Sequence, residues 1–451
     1  MHQSTNRKHA VVIGASMGGL LASRALSDHF ESVTIIDRDQ MPAVGEQRRY
    51  APQGHHTHGL LASGTRVLES HFPGLTAQLL AAGAVPGDIV LKSRWFMEGG
   101  YLSQVRSGLD GLLLSRPLLE GMVRQRTLKL PNVTLRSGCE AAGLFAAAGS
   151  SVVTGVKLRD GGQIKADLIV EASGRNSHSA DWLEEIGFRK PEVEQVEVAL
   201  NYTTRLFRRE PNHLNGDLAA IIPPTPTGKL GGVMLAQEGN RWTVTLAVHF
   251  GKAAPTDLPG FREFARNLHA PDIDSVIRTA EPIGEAQTYR FPSSLRKRYE
   301  RLASFPEGYL AFGDAISSFN PIYGQGMSSS ALQSVALGEC LAEGDTRLAQ
   351  RFFAKAAKVV DIPWSIAVGN DLRMPETVGP RNAGVNFVNW YISKLHKAAH
   401  HDAELTLAFM NVANLVAPPP SVMHPRLAWR VLMGNVGKRS GAMERREAAS
   451  G

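Results

Sequence analysis

The feature of the sequence that most constrains the fold is a glycine-rich turn between an apolar strand and an amphipathic helix. The strand begins HAVVI at residue 9, the helix is predicted over residues 16–30, and a second strand, SVTIID, ends at residue 37. A buried parallel strand, a tight turn and a helix form a βαβ unit, which presents free N–H groups and the positive end of the helix to an anion. The turn residues that we assign to phosphate binding are Gly14, Ser16, Gly18 and Gly19.

The second strand ends in an acidic residue at an informative distance from this turn. Asp37 lies 23 positions after Gly14, about where the carboxylate of a dinucleotide-binding unit accepts a hydrogen bond from a ribose hydroxyl. We therefore predict a dinucleotide site, and we place Asp37 and its neighbour Arg38 among the cofactor-binding residues.

A second glycine-containing segment near residue 313 indicates which dinucleotide is bound. An apolar strand, YLAF, leads into Gly313 and Asp314, and the loop FNPIYGQGM at residues 319–327 leads into a predicted helix. The strand delivers Asp314 to the carboxyl edge of the sheet, where ligands bind, and the start of the helix presents its positive end to a reduced, anionic ring. The cofactor-binding candidates of this segment are Gly313, Asp314, Gly324, Gln325, Gly326 and Met327.

Together the two segments resemble the para-hydroxybenzoate-hydroxylase-like FAD oxidoreductases, over roughly residues 9–345. The resemblance implies non-covalently bound FAD rather than NAD. It also implies that the Gly-Asp pair contacts the ribityl chain and that the Pro-x-x-Gly-x-Gly loop flanks the isoalloxazine ring. Pro321 and Tyr323 of this loop are therefore candidate catalytic residues.

A third segment, residues 48–61, is similar to the Pro-Gln-x-x-His-x-His signature of polyether-type and squalene-epoxidase-like flavin epoxidases. Tyr50 stands where those relatives usually have glycine. The resemblance implies a loop near the pyrophosphate and the flavin, with Arg48 or Arg49 pairing with phosphate. Cofactor or substrate-pocket lining is our first interpretation of the histidines, and His58 is a candidate catalytic residue. A structural role at a helix start comes second. A metal site comes last, since no carboxylate or cysteine partner is near in sequence.

Two further segments match the family less completely. Arg116, at the start of a helix predicted to be capped by Ser115, resembles the family arginine that touches FAD; the alternative is a solvated helix arginine. Residues 168–175 resemble the family's second FAD/NADPH fingerprint, but Ser173 replaces the usual aspartate. This replacement favours a separate flavin reductase that passes on electrons from NAD(P)H.

The sequence predicts an α/β fold in which a Rossmann-like FAD-binding domain is interrupted by a β-rich substrate domain and followed by a helical C-terminal region. Helical patterns cover residues 347–372, 384–398, 402–416 and 425–433. The predicted units are 1–75, 112–184 and 286–345 for the FAD-binding domain, 76–111 and 185–285 for the substrate domain, and 346–451 for a helical cap.

Composition sets limits on partners and location. The net charge is +7, but the basic residues are scattered and no nucleic-acid-binding motif accompanies them, so we expect no nucleic-acid partner. No run of about 18 apolar residues occurs, so membrane contact is expected to be peripheral at most. Cys139 and Cys340 are too few and too far apart for a disulfide framework, which favours the cytoplasm.

The resemblance implies an FAD-dependent monooxygenase that transfers one oxygen atom from O2 through a flavin C4a-hydroperoxide. Because no residue stands out as a base for a phenol, the sequence favours epoxidation of an apolar substrate of secondary metabolism. Three alternatives remain: a flavin halogenase, although its Trp-x-Trp-x-Ile-Pro segment is missing; a prenyl-type reductase or dehydrogenase; and a non-redox FAD-containing cyclase or binding protein.

Overall fold

The computed structural model describes residues 7–146 and 151–436. The strands, in chain order, are β1 (His9–Ile13), β2 (Ser32–Asp37), β3 (Val85–Asp88), β4 (Ser93–Met97), β5 (Gly100–Tyr101), β6 (Asp110–Leu113), β7 (Val133–Ser137), β8 (Ala141–Ala146), β9 (Val153–Leu158), β10 (Gln163–Lys165), β11 (Leu168–Glu171), β12 (Val193–Arg208), β13 (Ala219–Ile222), β14 (Leu230–Gln237), β15 (Arg241–His249), β16 (Pro282–Lys297), β17 (Tyr309–Ala311) and β18 (Ser317–Ser318). The helices are α1 (Met17–Ser27), α2 (Ala62–His71), α3 (Leu75–Ala81), α4 (Arg116–Thr127), α5 (Ser179–Glu185), α6 (Leu258–Arg266), α7 (Asp272–Ile277), α8 (Gly326–Ala342), α9 (Leu348–Asp371), α10 (Ala383–Ala399), α11 (Ala403–Ala413) and α12 (Pro425–Met433).

A five-stranded parallel sheet forms the first layer, in the order β17-β11-β1-β2-β7. Its central strands are apolar and buried on both faces, as expected for a parallel sheet covered by helices. The predicted unit β1-α1-β2 is confirmed. All five strands run in the same direction, so their carboxyl ends, and the turns that follow them, lie at one edge.

An eight-stranded sheet forms the second layer, in the order β18-β16-β12-β15-β14-β13-β4-β5. Its two longest strands, β12 and β16, pair antiparallel with two register shifts. β16 pairs with β12 along its whole length, as far as Lys297. The domain boundary predicted at 285/286 therefore falls inside a strand, and the substrate domain extends at least to Lys297. A sequence pattern does not show this, because the pairing partner of β16 lies far away along the chain.

The sequence Asp160-Gly161-Gly162 predicts a hairpin and Glu238-Gly239-Asn240 predicts a turn, and the structure has a hairpin at both places. β9 and β10 pair antiparallel around Asp160-Gly161-Gly162, with Gly161 at φ +87°. β14 and β15 pair around Glu238-Gly239-Asn240, where Gly239 and Asn240 both have positive φ. Two consecutive positive φ values match the twist that a tight hairpin needs.

The four helical patterns after residue 346 correspond to α9, α10, α11 and α12. The last three pack into a separate apolar cluster with residues around β4 and β6, including Val90, Leu102 and Leu109. The Tyr391 hydroxyl donates to the Val422 carbonyl at 2.6 Å, which ties α10 to the segment before α12. These helices thus pack against β4 and the segments on either side of it.

The helical pattern of residues 58–72 predicts a helix that begins at His58, but the helix in the structure begins later. α2 starts at Ala62, and the residues before it form a 3-10 turn at Pro52–His55 followed by an extended segment. The apolar residues Leu60 and Leu61 fit a helical pattern, but the backbone there crosses to the α8 start, where Leu61 N donates to Ser328 Oγ at 3.1 Å. Among the described helices, none has both the length and the apolar content needed to cross a membrane.

Candidate active site

A single large cavity of about 1250 Å³ lies between the two sheets and the C-terminal helices. Its wall includes the glycine turn before α1, the loop before α8, strands of the large sheet and residues of α9, α10 and α11. Pockets for drug-sized ligands are usually about 300–1000 Å³. This cavity is therefore large enough for a dinucleotide together with a second molecule.

The glycine turn is built for close approach to a ligand. Gly14 has φ +102°, and a Cβ atom there would lie 2.7 Å from the Ala172 carbonyl oxygen. A Cβ on Gly19 would lie 1.8 Å from the Gly14 oxygen, whereas Gly18 lines the cavity and has no neighbour within 3.8 Å of such an atom. No acidic side chain occupies the first turn of α1 and Ser16 makes no capping bond, so the N–H groups at its start are left for a ligand.

Ser16 is held by a buried carboxylate. Its Oγ donates to Glu120 Oε2 at 2.7 Å and accepts from Arg116 Nη2 at 2.9 Å. Arg116 also pairs with Glu120 and lines the cavity. The predicted cap of α4 is confirmed, because Ser115 Oγ accepts from Leu118 N. Arg116 is thus fixed at the edge of the cavity next to the glycine turn.

Arg48 lies behind the cavity wall rather than in it. Its guanidinium pairs with Asp37 at 2.8 Å, with Asp39 at 3.2 Å and with Glu120 at 3.0 Å, and all four side chains are buried. Burial alone would lower the pKa of Arg48, but Asp37 and Glu120 raise it above its usual value. Three carboxylates surround this cation and it does not line the cavity, so Arg48 is not placed to pair with a phosphate there. Of the two arginines expected to pair with phosphate, Arg49 is therefore the better candidate, because it lines the cavity.

Asp37 also has internal partners. Its Oδ2 accepts from Ala15 N at 2.6 Å and its Oδ1 from Asp39 N at 2.8 Å, so it ties the glycine turn to the end of β2. Arg38 and Arg49 both line the cavity, and both stack on Tyr50, at 4.7 and 5.3 Å from the ring centroid. Tyr50, the departure from the epoxidase signature, thus orders two cations at this end of the cavity.

Asp314 faces the middle of the cavity. It follows β17 and a left-handed Gly313 (φ +65°), whose N–H donates to Gln333 Oε1 of α8 at 3.0 Å. Its side chain is open to the cavity, yet the cavity lies inside the protein, and this burial raises the pKa of Asp314, while Arg116 and Arg175 oppose the rise. Asp314 is therefore an acceptor well placed for ligand hydroxyls.

The loop before α8 forms another part of the wall. Asn320 caps it by accepting from Ile322 N, Gly324 has φ +67°, and α8 starts at Gly326 with no acidic residue in its first turn. Gln325 is 2% exposed, and its Oε1 has no hydrogen-bond partner among the residues that the structure describes. A free helix start, an unsatisfied acceptor and Asp314 form a donor and acceptor set that fits the FAD expected from the resemblance.

Comparison with known proteins shows which family and which fold this chain shares. No family model matches the sequence. Protein Rv3254 of Mycobacterium tuberculosis is 35% identical over 353 residues, covering 74% of this chain and 73% of that protein. Kynurenine 3-monooxygenase of Salinispora arenicola is 24% identical over 383 residues, covering 78% and 76% of the two chains. At this identity and coverage, the chain and Protein Rv3254 are members of one family.

Solved structures show the same fold at lower identity. PqsL of P. aeruginosa in complex with 2-aminobenzoylacetate superimposes with a TM-score of 0.63 at 15% identity, covering 80% of this chain and 95% of PqsL. The flavin-dependent brominase Bmp2 gives 0.63 at 13%, covering 90% and 94%. The Diels-Alderase PyrE3 of pyrroindomycin biosynthesis gives 0.61 at 14%, covering 91% and 81%.

The chain belongs to the family of Protein Rv3254, and it shares its fold with PqsL, a probable FAD-dependent monooxygenase, and with the flavin-dependent brominase Bmp2.

In this chain, the histidine segment lies between the glycine turn and the α8 loop. His58 Nδ1 donates to the His56 carbonyl at 2.9 Å, which leaves Nε2 as the acceptor. Burial, with a smaller contribution from Arg116, lowers the pKa of His58 to about 4, and burial lowers that of His56 to about 3. Within residues 7–146 and 151–436, no three histidine, cysteine or acidic side chains are grouped in a way that could hold a metal.

The structure brings most of the predicted site residues together. Ser16, Gly18, Arg38, His58, Arg116, Asp314, Pro321, Tyr323, Gly324, Gln325, Gly326 and Met327 line the cavity. Gly14, Gly19 and Gly313 shape the turns behind it, and Asp37 and Arg48 form the ion cluster described above. Their direct contact with FAD remains a prediction.

Sequence reasoning missed Asp371, at the end of α9. Its Oδ1 accepts from Asn320 Nδ2 at 2.7 Å and from the Tyr323 hydroxyl at 2.9 Å. Its Oδ2 is buried and has no partner in the described chain, and burial raises the pKa of Asp371 to about 7. The one sequence signal for Asp371 is that an acidic residue stands at a position that the helical pattern predicts to be buried.

Proposed function

We propose that this protein is an oxidoreductase that holds one FAD non-covalently, and that it is a monooxygenase that inserts one oxygen atom from O2 into an apolar substrate, with alkene epoxidation favoured. The observation that carries this proposal is the continuity of the cavity. One space runs from the glycine turn past the α8 loop to the apolar faces of the C-terminal helices. The reacting ends of a cofactor and a substrate can therefore meet in it away from bulk water.

The residues of the cavity wall supply binding and orientation. The α1 start, Arg38 and Arg49 offer positive charge and N–H donors for a pyrophosphate, and Asp314 offers an acceptor for ribityl hydroxyls. When bound, FAD supplies the redox chemistry that activates oxygen. Tyr323, fixed through its hydroxyl by Asp371, holds the Pro321 loop against the space where the ring would lie.

The far end of the cavity supports an apolar substrate. It is lined by Ile366, Val388, Ile392, Phe409, Val412 and Met423. Hydroxylation of a phenol usually needs a general base whose pKa is near the working pH. His58, with a pKa near 4, is a weak proton acceptor at pH 7. Asp371 has a pKa near 7, but it does not line the cavity and its Oδ1 already accepts from Asn320 and Tyr323. Epoxidation, which needs no such base, is therefore the better match.

The electron donor is the second part of the proposal. Ser173 replaces an aspartate of the usual fingerprint and lines the cavity. We expect NADPH alone to reduce the bound flavin slowly, and a flavin reductase or a chemical reductant to restore turnover. Stopped-flow reduction by NADPH at hundreds per second would contradict this part alone.

Product analysis after turnover under 18O2 tests the main proposal. Purified holoenzyme is photoreduced and then mixed with 18O2 and a panel of apolar alkenes and matched arenes. One 18O atom in an epoxide is expected. The same label in a phenol would support the monooxygenase proposal but contradict the preference for epoxidation.

A halogenase is the second candidate, since Bmp2 shares the fold. Including bromide in the same reaction separates the two, because a brominated product would overturn monooxygenation. A saturated or desaturated product without label would indicate a reductase or dehydrogenase. A cyclised, unlabelled product formed without flavin reoxidation would indicate a non-redox cyclase. Each of these outcomes contradicts the proposal.

A further inference from the structure

A histidine from the C-terminal helices lies in the cavity wall with unsatisfied polar atoms. His396 of α10 is 3% exposed and lines the cavity. Neither Nδ1 nor Nε2 has a hydrogen-bond partner in the part of the chain that the structure describes. Its ring packs edge-on against Phe409, with centroids 4.4 Å apart. Buried imidazole nitrogens are normally paired, so two unpaired ones need an explanation.

The position of His396 on α10 is that of a ligand-facing residue. Val385, Val388, Asn389 and Ile392 also line the cavity from this helix. Their spacing of three or four residues places them with His396 on one face. The polar ring thus sits at the end of a mostly apolar stripe.

The charged groups nearby are already paired with each other. Arg373 pairs with Glu98, which also accepts from Ser393 Oγ at 2.8 Å. Glu98, Arg373 and His396 all line the cavity, and Arg373 acts to lower the pKa of both His396 and Tyr323. Because Glu98 and Arg373 neutralise each other, neither offers an uncompensated charge to a charged substrate group.

We propose that His396 is a substrate-binding residue that recognises an uncharged hydroxyl or carbonyl group on an otherwise apolar substrate. This inference rests on the proposed function, because it names the substrate class for the same cavity. A neutral imidazole has one donor and one acceptor, and a hydroxyl group can use either.

The electrostatics of the pocket agree with this role. Burial lowers the pKa of His396 to about 3, Glu98 opposes the shift, and Arg373 and His400 add to it. The ring is therefore neutral at pH 7, and it is suited to hydrogen bonding rather than to holding an anion. Leaving its nitrogens unpaired costs stability, and a bound polar group removes that cost.

Two variants separate recognition from a structural role. His396→Leu keeps a similar volume and removes both polar atoms, whereas His396→Gln keeps a donor and an acceptor. His71→Leu is the matched control, because His71 lies outside the cavity wall and already pairs with Ser334 Oγ at 2.8 Å. The oxidised holoenzyme is titrated with 1-naphthol and with naphthalene, and binding is followed by calorimetry and by the flavin absorbance. Neither probe requires turnover.

We expect the wild-type protein to bind 1-naphthol at least tenfold more tightly than naphthalene. His396→Leu should abolish that preference, and His396→Gln and His71→Leu should retain it. Without ligand, His396→Leu should raise the melting temperature, because it removes unpaired buried nitrogens, while His71→Leu should lower it.

Three results would overturn the inference: no saturable binding of 1-naphthol, a preference unchanged in His396→Leu, or a lower melting temperature in that variant. None of these measurements uses oxygen transfer. Failure here therefore leaves the 18O2 result intact, and failure of the 18O2 experiment leaves the binding result intact.

Discussion

Replacing Asp371 by asparagine should stabilise the protein at alkaline pH and remove part of its pH dependence. Asp371 accepts hydrogen bonds from Asn320 and Tyr323 through Oδ1 alone, and its Oδ2 is buried without a partner in the described chain. Asparagine keeps an oxygen for the two donors and carries no charge. The change therefore removes the buried charge and keeps the two hydrogen bonds, while the amide N–H groups that replace Oδ2 add a cost that does not depend on pH.

The magnitude follows from the raised pKa. Burial moves the pKa of Asp371 from 3.8 to about 7, against the smaller effect of the hydrogen bonds from Tyr323 and Asn320. Between these values the folded state binds more protons than the unfolded state, so stability falls as the pH rises. About three pKa units correspond to about 4 kcal/mol lost between pH 4 and pH 7. Roughly 2–3 kcal/mol of that loss falls between pH 5 and pH 8.

Urea denaturation of the FAD-saturated protein at pH 5 and pH 8, followed by circular dichroism, measures this effect. The stability difference between Asp371→Asn and the wild type should grow by roughly 2–3 kcal/mol from pH 5 to pH 8. Asp110→Asn, at an exposed position, is the control and should show no such growth. Asp371→Ala should destabilise at both pH values, because it leaves Asn320 and Tyr323 without their acceptor. An equal pH dependence in Asp371→Asn and the wild type would refute the reasoning.

Three other predictions concern the cofactor site and the helical tail. Asp314→Ala should weaken FAD binding by about 10- to 100-fold, the loss of a charged acceptor, and Asp37→Asn should weaken it less; undiminished FAD occupancy in both, measured after gel filtration, would contradict the site. Arg48→Met leaves buried Asp37 and Asp39 without a cation and Glu120 with Arg116 alone, and it should cost about 3–5 kcal/mol in urea denaturation, so unchanged stability would show that the cluster is not what holds this loop. Truncation after Asp345 should cause aggregation or loss of flavin, and a soluble truncated protein with FAD and full turnover would show that the tail is dispensable.

Local patterns predicted the elements that depend on neighbouring residues. The β1-α1-β2 unit, the α4 cap, two hairpins and the four C-terminal helices are confirmed, because turn chemistry, capping and helical periodicity act over a few residues. The resemblance added the FAD-binding fold. Most of the candidate site residues share one cavity because they follow parallel strands whose carboxyl ends meet at one edge.

Features that depend on distant partners were not predictable. Arg48 was one of two arginines expected to pair with a phosphate, and it pairs instead with Glu120, which is 72 residues away in the sequence. The expected boundary at 285/286 ignored the pairing of β16 with β12, and α2 begins at Ala62 because the preceding backbone contacts α8.

The sequence by itself determined the βαβ unit, the two glycine loops and the helical tail, since each is encoded within a short stretch of chain. The tertiary structure alone decided which charges are neutralised and which polar atoms are left facing the cavity. Asp371, which accepts from the Tyr323 hydroxyl, is an example of a buried charge, and His396, which lines the cavity from α10, is an example of an unpaired polar group. The physical reason is that desolvation and pairing depend on what surrounds a side chain in three dimensions, which sequence spacing does not specify.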